Sequence, residues 1–163
     1  MIKLLLDLTY AFLGSLGFCV LFNIRGKSLF AASIGGAVGW FVYELIPLMG
    51  VSSNNNAIFI ATIVISIYSE IMARILKQPV TVFVIASMIP LVPGSGMYYT
   101  TFEAVQGNID KAVAHGLKTL YDAGTIAIGI ILVSTIARIL KQKKFLNINF
   151  IPTKKSKKTL NTK

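Results

Sequence analysis

Charged residues are scarce in this chain, and their scarcity excludes most soluble proteins. They make up 13% of the 163 residues, whereas hydrophobic residues make up 55%. A soluble domain carries roughly 25% charged residues, because its surface faces water. The mean hydropathy of +0.72 agrees with this contrast. The composition therefore indicates an integral membrane protein, and the length allows one domain.

Cysteine and histidine are almost absent, which excludes several kinds of site. Cys19 is the only cysteine, and His115 is the only histidine. One cysteine cannot form an intrachain disulfide, and one histidine does not make a metal site. The sequence also lacks a nucleophile and base of the kind that hydrolases combine. We therefore expect no metal, no cofactor and no enzymatic activity.

Five apolar runs are each long enough to cross a bilayer as a helix, which takes about 20 residues. They cover residues 4–24, 28–49, 57–76, 79–101 and 117–140. We expect the first run to be a retained span rather than a signal peptide, because it continues unbroken to Ile24. The predicted fold is an all-α membrane domain of about five transmembrane helices at 1–141, followed by a Lys-rich, disordered tail at 142–163.

Basic residues collect at one end of these predicted spans. That end carries the Lys-rich tail and the following cations: Arg25, Lys27, Arg74, Lys77 and Arg138. The opposite end carries only Lys3, Lys111 and Lys118. The positive-inside rule then places the C-terminus in the cytoplasm and the N-terminus outside the cell membrane. The tail accounts for much of the net charge of +10 and suits anionic lipid better than nucleic acid.

Four of the six acidic residues lie within predicted spans, namely Asp7, Glu44, Glu70 and Asp122. A charge at the bilayer centre costs about 2.5–3.5 kcal/mol even on a lenient scale. Three of the four have a Lys or Arg four residues away, so each can form an ion pair on one helix face. Glu44 has no cation at the neighbouring positions of its helix.

Glu44 is therefore the first candidate for proton coupling, ahead of Glu70 and Asp122. A carboxyl group removed from water is more easily protonated near neutral pH, as a proton-coupled carrier requires. The alternative is that Glu44 lies near the outer headgroups, because Pro47 and Gly50 soon end its helix. For Glu70 and Asp122, the alternative is an ion pair at the membrane interface.

The fourth run is interrupted by two prolines and two glycines, at Pro90, Pro93, Gly94 and Gly96. Proline removes a backbone donor and clashes with the preceding turn, so the pattern predicts a broken helix. Non-helical backbone at membrane depth occurs only where protein or a water-filled cavity receives it. Transporters use such breaks to build solute sites near the midplane. The alternative is an ordinary proline kink.

Polar groups in this break suit a small solute that bears a carboxylate. If a helix restarts at Ser95, its N-terminal amides form an anion site, and the Ser95 hydroxyl can cap that helix. Glycines beside it leave the amides accessible. We expect the solute site to comprise the break and the hydroxyls after it: Pro90, Pro93, Gly94, Ser95, Gly96, Tyr98 and Tyr99.

The run Phe83–Tyr99, which contains this break, resembles the threonine/serine exporter family. More narrowly, it resembles the small subunit, equivalent to the C-terminal half of the fused members. The likeness extends over most of Leu4–Leu140 and includes Pro79. It implies a secondary exporter of small amino acids or of dicarboxylates such as succinate. It also implies a second, larger membrane subunit, while a homo-oligomer is the other way to enclose a solute path.

A non-transporting membrane protein, such as a scaffold or a holin-like protein, is the competing hypothesis. The broken fourth run and Glu44 favour transport, since a scaffold requires neither of them. We therefore expect a subunit of a proton-coupled secondary transporter.

Overall fold

The structure is a computed structural model that describes residues 2–50 and 54–149. The chain is helical through nearly all of these residues. No strand occurs in these residues. The elements in chain order are α1 (Ile2–Leu21), α2 (Lys27–Leu48), α3 (Asn54–Leu76), α4 (Val80–Met88), a 3₁₀ turn (Ile89–Leu91), α5 (Gly94–Val105) and α6 (Ile109–Asn149).

Four helices are long and apolar enough to cross a membrane by themselves, namely α1, α2, α3 and α6. The segment of α4 with its 3₁₀ turn meets this condition only together with α5, and the two are bent by 55° at the break. The prediction of an all-α membrane protein with about five spans, the fourth broken at the Pro/Gly motif, is confirmed.

The directions of the helices explain why α4 and α5 act together as one span. Asn55 Nδ2 of α3 donates to Asp122 Oδ1 of α6 at 3.3 Å. Further along both helices, Thr62 lies against Gly129, so α3 and α6 run parallel. Because α3 ends on the side opposite to the start of α6, the chain between them crosses the bundle.

Small residues on α2 let three other helices approach its backbone. The contacting pairs are Gly35 with Ser87 of α4, Gly36 with Ser15 of α1, and Gly39 with Ile65 of α3. A Cβ atom at any of these glycines would overlap its neighbour, so the glycines set the helix spacing. Hydroxyl groups add bonds between helices: Ser87 Oγ donates to the Ala32 carbonyl at 2.9 Å, and Tyr68 Oη to the Ala31 carbonyl at 2.8 Å.

The start of the fourth span agrees with the sequence prediction, whereas the last span is longer than predicted. Pro79 is the N-cap residue of α4, as its place at the start of the fourth apolar run predicts. α6 begins at Ile109, earlier than predicted, and continues to Asn149. Residues 142–149 are therefore helical where the sequence predicted a disordered tail. The rest of that tail, 150–163, lies outside the described residues.

Candidate functional site

The break between α4 and α5 lies near the middle of the bundle. α4 ends at Met88, the 3₁₀ turn follows, and Val92 and Pro93 are not helical. A Cβ atom at Gly36 would lie 3.4 Å from Cγ of Pro90, and Gly36 is close to the middle of α2. The two prolines therefore interrupt the fourth span at about half the height of its central neighbour.

α5 begins one residue earlier than the sequence predicted. Its N-cap is Pro93 and no side chain caps it, so the prediction that Ser95 caps this helix is wrong. The Met97 amide donates to the Pro93 carbonyl at 3.2 Å. The amides of Ser95 and Gly96 have no backbone acceptor within the described ranges, as expected for a first helical turn. They remain available to an anion.

A cavity of about 380 Å³ lies beside this break, and we call it the break cavity. Its volume falls within the range of roughly 300–1,000 Å³ that is typical of small-molecule sites. Helices α2, α3, α5 and α6 wall it together with the break. The lining residues are Trp40, Tyr43, Ile58, Pro90, Leu91, Val92, Pro93, Ser95, Gly96, Tyr99, His115, Lys118, Thr119 and Asp122.

Five of the seven predicted solute-site residues line the break cavity, and the other two lie outside its lining. The cavity is lined by Pro90, Pro93, Ser95, Gly96 and Tyr99. Tyr98 lies outside the lining, is 62% exposed, and stacks on Phe102 with ring centroids 5.9 Å apart. Gly94 also lies outside it, and a Cβ atom there would meet nothing within 4 Å.

Asp122 is the one buried carboxylate among the described residues, with 6% of its surface exposed. Asn55 Nδ2 donates to its Oδ1 atom at 3.3 Å. Lys118, one turn earlier on α6, lines the same cavity, but the ion pair that their spacing allows is not formed in the described structure. The break cavity therefore offers one anionic and one cationic side chain that do not neutralise each other directly.

The other two candidates for proton coupling lie outside the lining of the break cavity. Glu44 is half-buried, and its Oε1 atom accepts a hydrogen bond from Trp40 Nε1 at 3.1 Å. Its partner is thus a neutral side chain that itself lines the cavity. Glu70 forms an ion pair with Arg74 at 3.4 Å, as their spacing predicts. Of the three carboxylates, only Asp122 contacts the break cavity.

Sequence reasoning missed the polar face with which α6 lines the cavity. His115, Lys118, Thr119 and Asp122 stand at positions i, i+3, i+4 and i+7, which places them on one helix face. This spacing was a usable signal, because it interrupts the start of an otherwise apolar run. Asn55 had no such signal, since it stands in a stretch that resembles a loop.

Gly96 and Gly94 form a matched pair that tests how closely α5 must approach α6. A Cβ atom at Gly96 would overlap the Thr119 side chain, whereas one at Gly94 would meet nothing within 4 Å. We expect Gly96→Val to destabilise the protein by about 1–3 kcal/mol through overpacking. Gly94→Val should change stability far less. Thermal unfolding in detergent measures both, and equal melting temperatures would contradict the close α5–α6 packing.

Comparison with known proteins identifies a family and a distant relative. The model of the family described as "Threonine/Serine exporter, ThrE" matches residues 7–136. An uncharacterized protein of Haemophilus influenzae is 28% identical over 141 residues, which cover 81% of this chain and 47% of that protein. The chain thus spans about half the length of the curated relative that it matches. No solved structure matches the chain.

Proposed function

The chain belongs to the threonine/serine exporter family, and we propose that it is a subunit of a secondary transporter for small solutes that bear a carboxylate. The substrates we propose are small amino acids such as threonine and serine, or small dicarboxylates such as succinate. The family match extends over residues 7–136 and so includes every residue that lines the break cavity.

One observation carries this proposal: the break cavity combines groups for both charges of an amino acid. A solute carboxylate can bind the free amides of Ser95 and Gly96 together with the Lys118 ammonium group. A solute ammonium group can bind the buried Asp122 carboxylate. Tyr99 of α5 and Thr119 of α6 also line the cavity, and their hydroxyls suit a hydroxylated side chain.

We also propose that export is coupled to protons, with Asp122 as the first candidate and Glu44 and Glu70 as the others. The position of Asp122 supports this order, because it is buried and is the one of the three carboxylates that lines the break cavity. Glu44 and Glu70 remain candidates. Glu44 accepts a hydrogen bond from Trp40, and Glu70 forms an ion pair with Arg74.

Two features support a partner subunit. The chain matches about half of its relative, and five spans place its ends on opposite sides. A second half of inverted topology would complete a solute path, as in other transporters with inverted repeats, and a second copy of this chain is the alternative. The basic loops support a cytoplasmic C-terminus in the cell membrane, with anionic lipid at the Lys-rich tail.

The competing function, a membrane scaffold or holin-like protein, explains less of the molecule. A scaffold has no use for a buried carboxylate beside a cavity, and burying one is costly. The buried carboxylate beside the break cavity therefore favours a transporter over a scaffold.

Solute uptake by inverted membrane vesicles tests the proposed function. Vesicles from cells that carry the full chain at its own locus should accumulate radiolabelled threonine, serine or succinate when a pH gradient is imposed. Vesicles from cells that lack the gene are the control. Equal uptake of all three solutes by both preparations would overturn the proposal, whereas uptake without pH dependence would remove only the proton coupling.

A further inference from the structure

A second cavity, of about 980 Å³, lies at the opposite end of α3 from the break cavity. We call it the basic cavity, because three cations from different segments line it: Arg74, Lys77 and Arg138. We propose that it is a second binding site for the carboxylate of the solute, where the solute is loaded before it reaches the break cavity. This inference rests on the transport function proposed above.

The charges of the basic cavity do not cancel. Glu70 is the only carboxylate in its lining, and it is already paired with Arg74 at 3.4 Å. Lys77 and Arg138 are exposed and have no acidic partner within residues 2–50 and 54–149. A cleft with apolar walls and an excess of one charge concentrates counter-ions, so this cavity attracts small anions.

The two cavities lie on the same pair of neighbouring helices, α3 and α6. Ile58 of α3 and Asp122 of α6 line the break cavity, whereas Ala73 of α3 and Ala137 of α6 line the basic cavity. A packed apolar cluster that includes Ile58, Leu91 and Ile126 lies at the inner edge of the break cavity. The two sites are thus separate compartments in this conformation.

The helices around the basic cavity leave a route between them. α3 packs against both α4 and α6, but α4 and α6 have almost no direct contact with each other. The cavity occupies this gap, with Val84 and Met88 of α4 facing Ile130 and Ser134 of α6. A small shift of α4 against α2 and α3, away from α6, would therefore extend the basic cavity inward.

Two buried hydroxyls mark the path that such a movement would open. Ser66 and Ser69 are 1% and 0% exposed, and their Oγ atoms have no hydrogen-bond partner in the described structure. They share one face of α3 with Thr62 and Asn55, between the levels of the two cavities. A buried hydroxyl without a partner is unfavourable, so these groups can bind a polar solute or water when the path opens.

Initial rates of uptake test the loading site, with the full chain purified together with any subunit that accompanies it. In phosphatidylcholine vesicles, the double variant Lys77→Gln/Arg138→Gln should raise KM for radiolabelled threonine or succinate about tenfold, because the solute carboxylate loses two of its cationic partners. kcat should stay unchanged, since the break cavity is intact. The charge-conserving variant Lys77→Arg/Arg138→Lys should keep the wild-type KM and report that folding is preserved.

The matched control is Arg25→Gln/Lys27→Gln, which removes two cations at the start of α2, at the same end of the bundle, without touching the cavity. An equal KM in both Gln variants would overturn the loading site and leave the proposed function standing. A difference that appears only when phosphatidylglycerol is added would also overturn it, because the cations would then bind a lipid headgroup. Absence of wild-type uptake would overturn both proposals.

Discussion

Asp122→Asn is expected to lower solute transport by about 100-fold, the largest effect of any single substitution in this chain. The carboxylate is buried beside the break cavity, and its only described hydrogen bond comes from Asn55. Asparagine preserves the size of the side chain and can still bond to Asn55, but it has no charge to hold a solute ammonium group or a proton. Initial rates of uptake in vesicles, with and without a pH gradient, measure the effect.

Two further carboxylate variants decide whether the proton-coupling role belongs to Asp122. Asp7→Asn, on α1 and outside both cavities, should transport at the wild-type rate. Glu44→Gln keeps a group that can accept the Trp40 hydrogen bond, so it isolates the effect of the Glu44 charge. Loss of pH dependence in Glu44→Gln, together with normal coupling in Asp122→Asn, would transfer the proton-coupling role to Glu44.

Straightening the fourth span should have the second-largest effect. In Pro90→Ala/Pro93→Ala both missing amide donors return, so α4 can continue through the break. We expect membrane insertion to persist and transport to fall at least about tenfold, because the free amides of Ser95 and Gly96 would be taken up by helical hydrogen bonds. Uptake rates measure the loss.

A distance measurement shows whether the double proline variant loses transport because its fourth span has straightened. Spin labels at Thr81 and Phe102, both exposed, should move apart when the 55° bend is removed. Pro47→Ala is the matched control, because Pro47 lies within α2 near its end and lines neither cavity. An unchanged distance with normal transport in the double proline variant would contradict a functional break.

The break was predictable from the sequence because its causes are local. Pro90 and Pro93 remove their own donors whatever surrounds them, and Pro79 starts a helix for the same reason. The number of spans was predictable for a similar reason, since each apolar run has to be about 20 residues long to cross a bilayer. These features depend on one segment of chain at a time.

The burial of Asp122 was not predictable, because it depends on distant segments of the chain. Lys118 stands one turn before Asp122, which made a local ion pair the simplest expectation. The structure instead brings Asn55 to Asp122 and leaves Lys118 lining the cavity. Glu44, with no cation within four residues of it on α2, accepts a hydrogen bond from the Trp40 N–H instead. The partner of Asp122 is 67 residues away and follows from no spacing rule, whereas Trp40 stands only four residues before Glu44 on the same helix.

The parallel pairing of α3 with α6 also affects the order in which the chain is made. Asn55 and Asp122 are 67 residues apart, so α6 is synthesised roughly 3–13 s after the start of α3 at bacterial and eukaryotic rates of elongation. During this interval the face of α3 that carries Asn55, Thr62, Ser66 and Ser69 has no α6 to cover it. Until α6 is inserted, the Asn55 amide and the Thr62 side chain therefore lack the α6 neighbours that they contact in the folded structure.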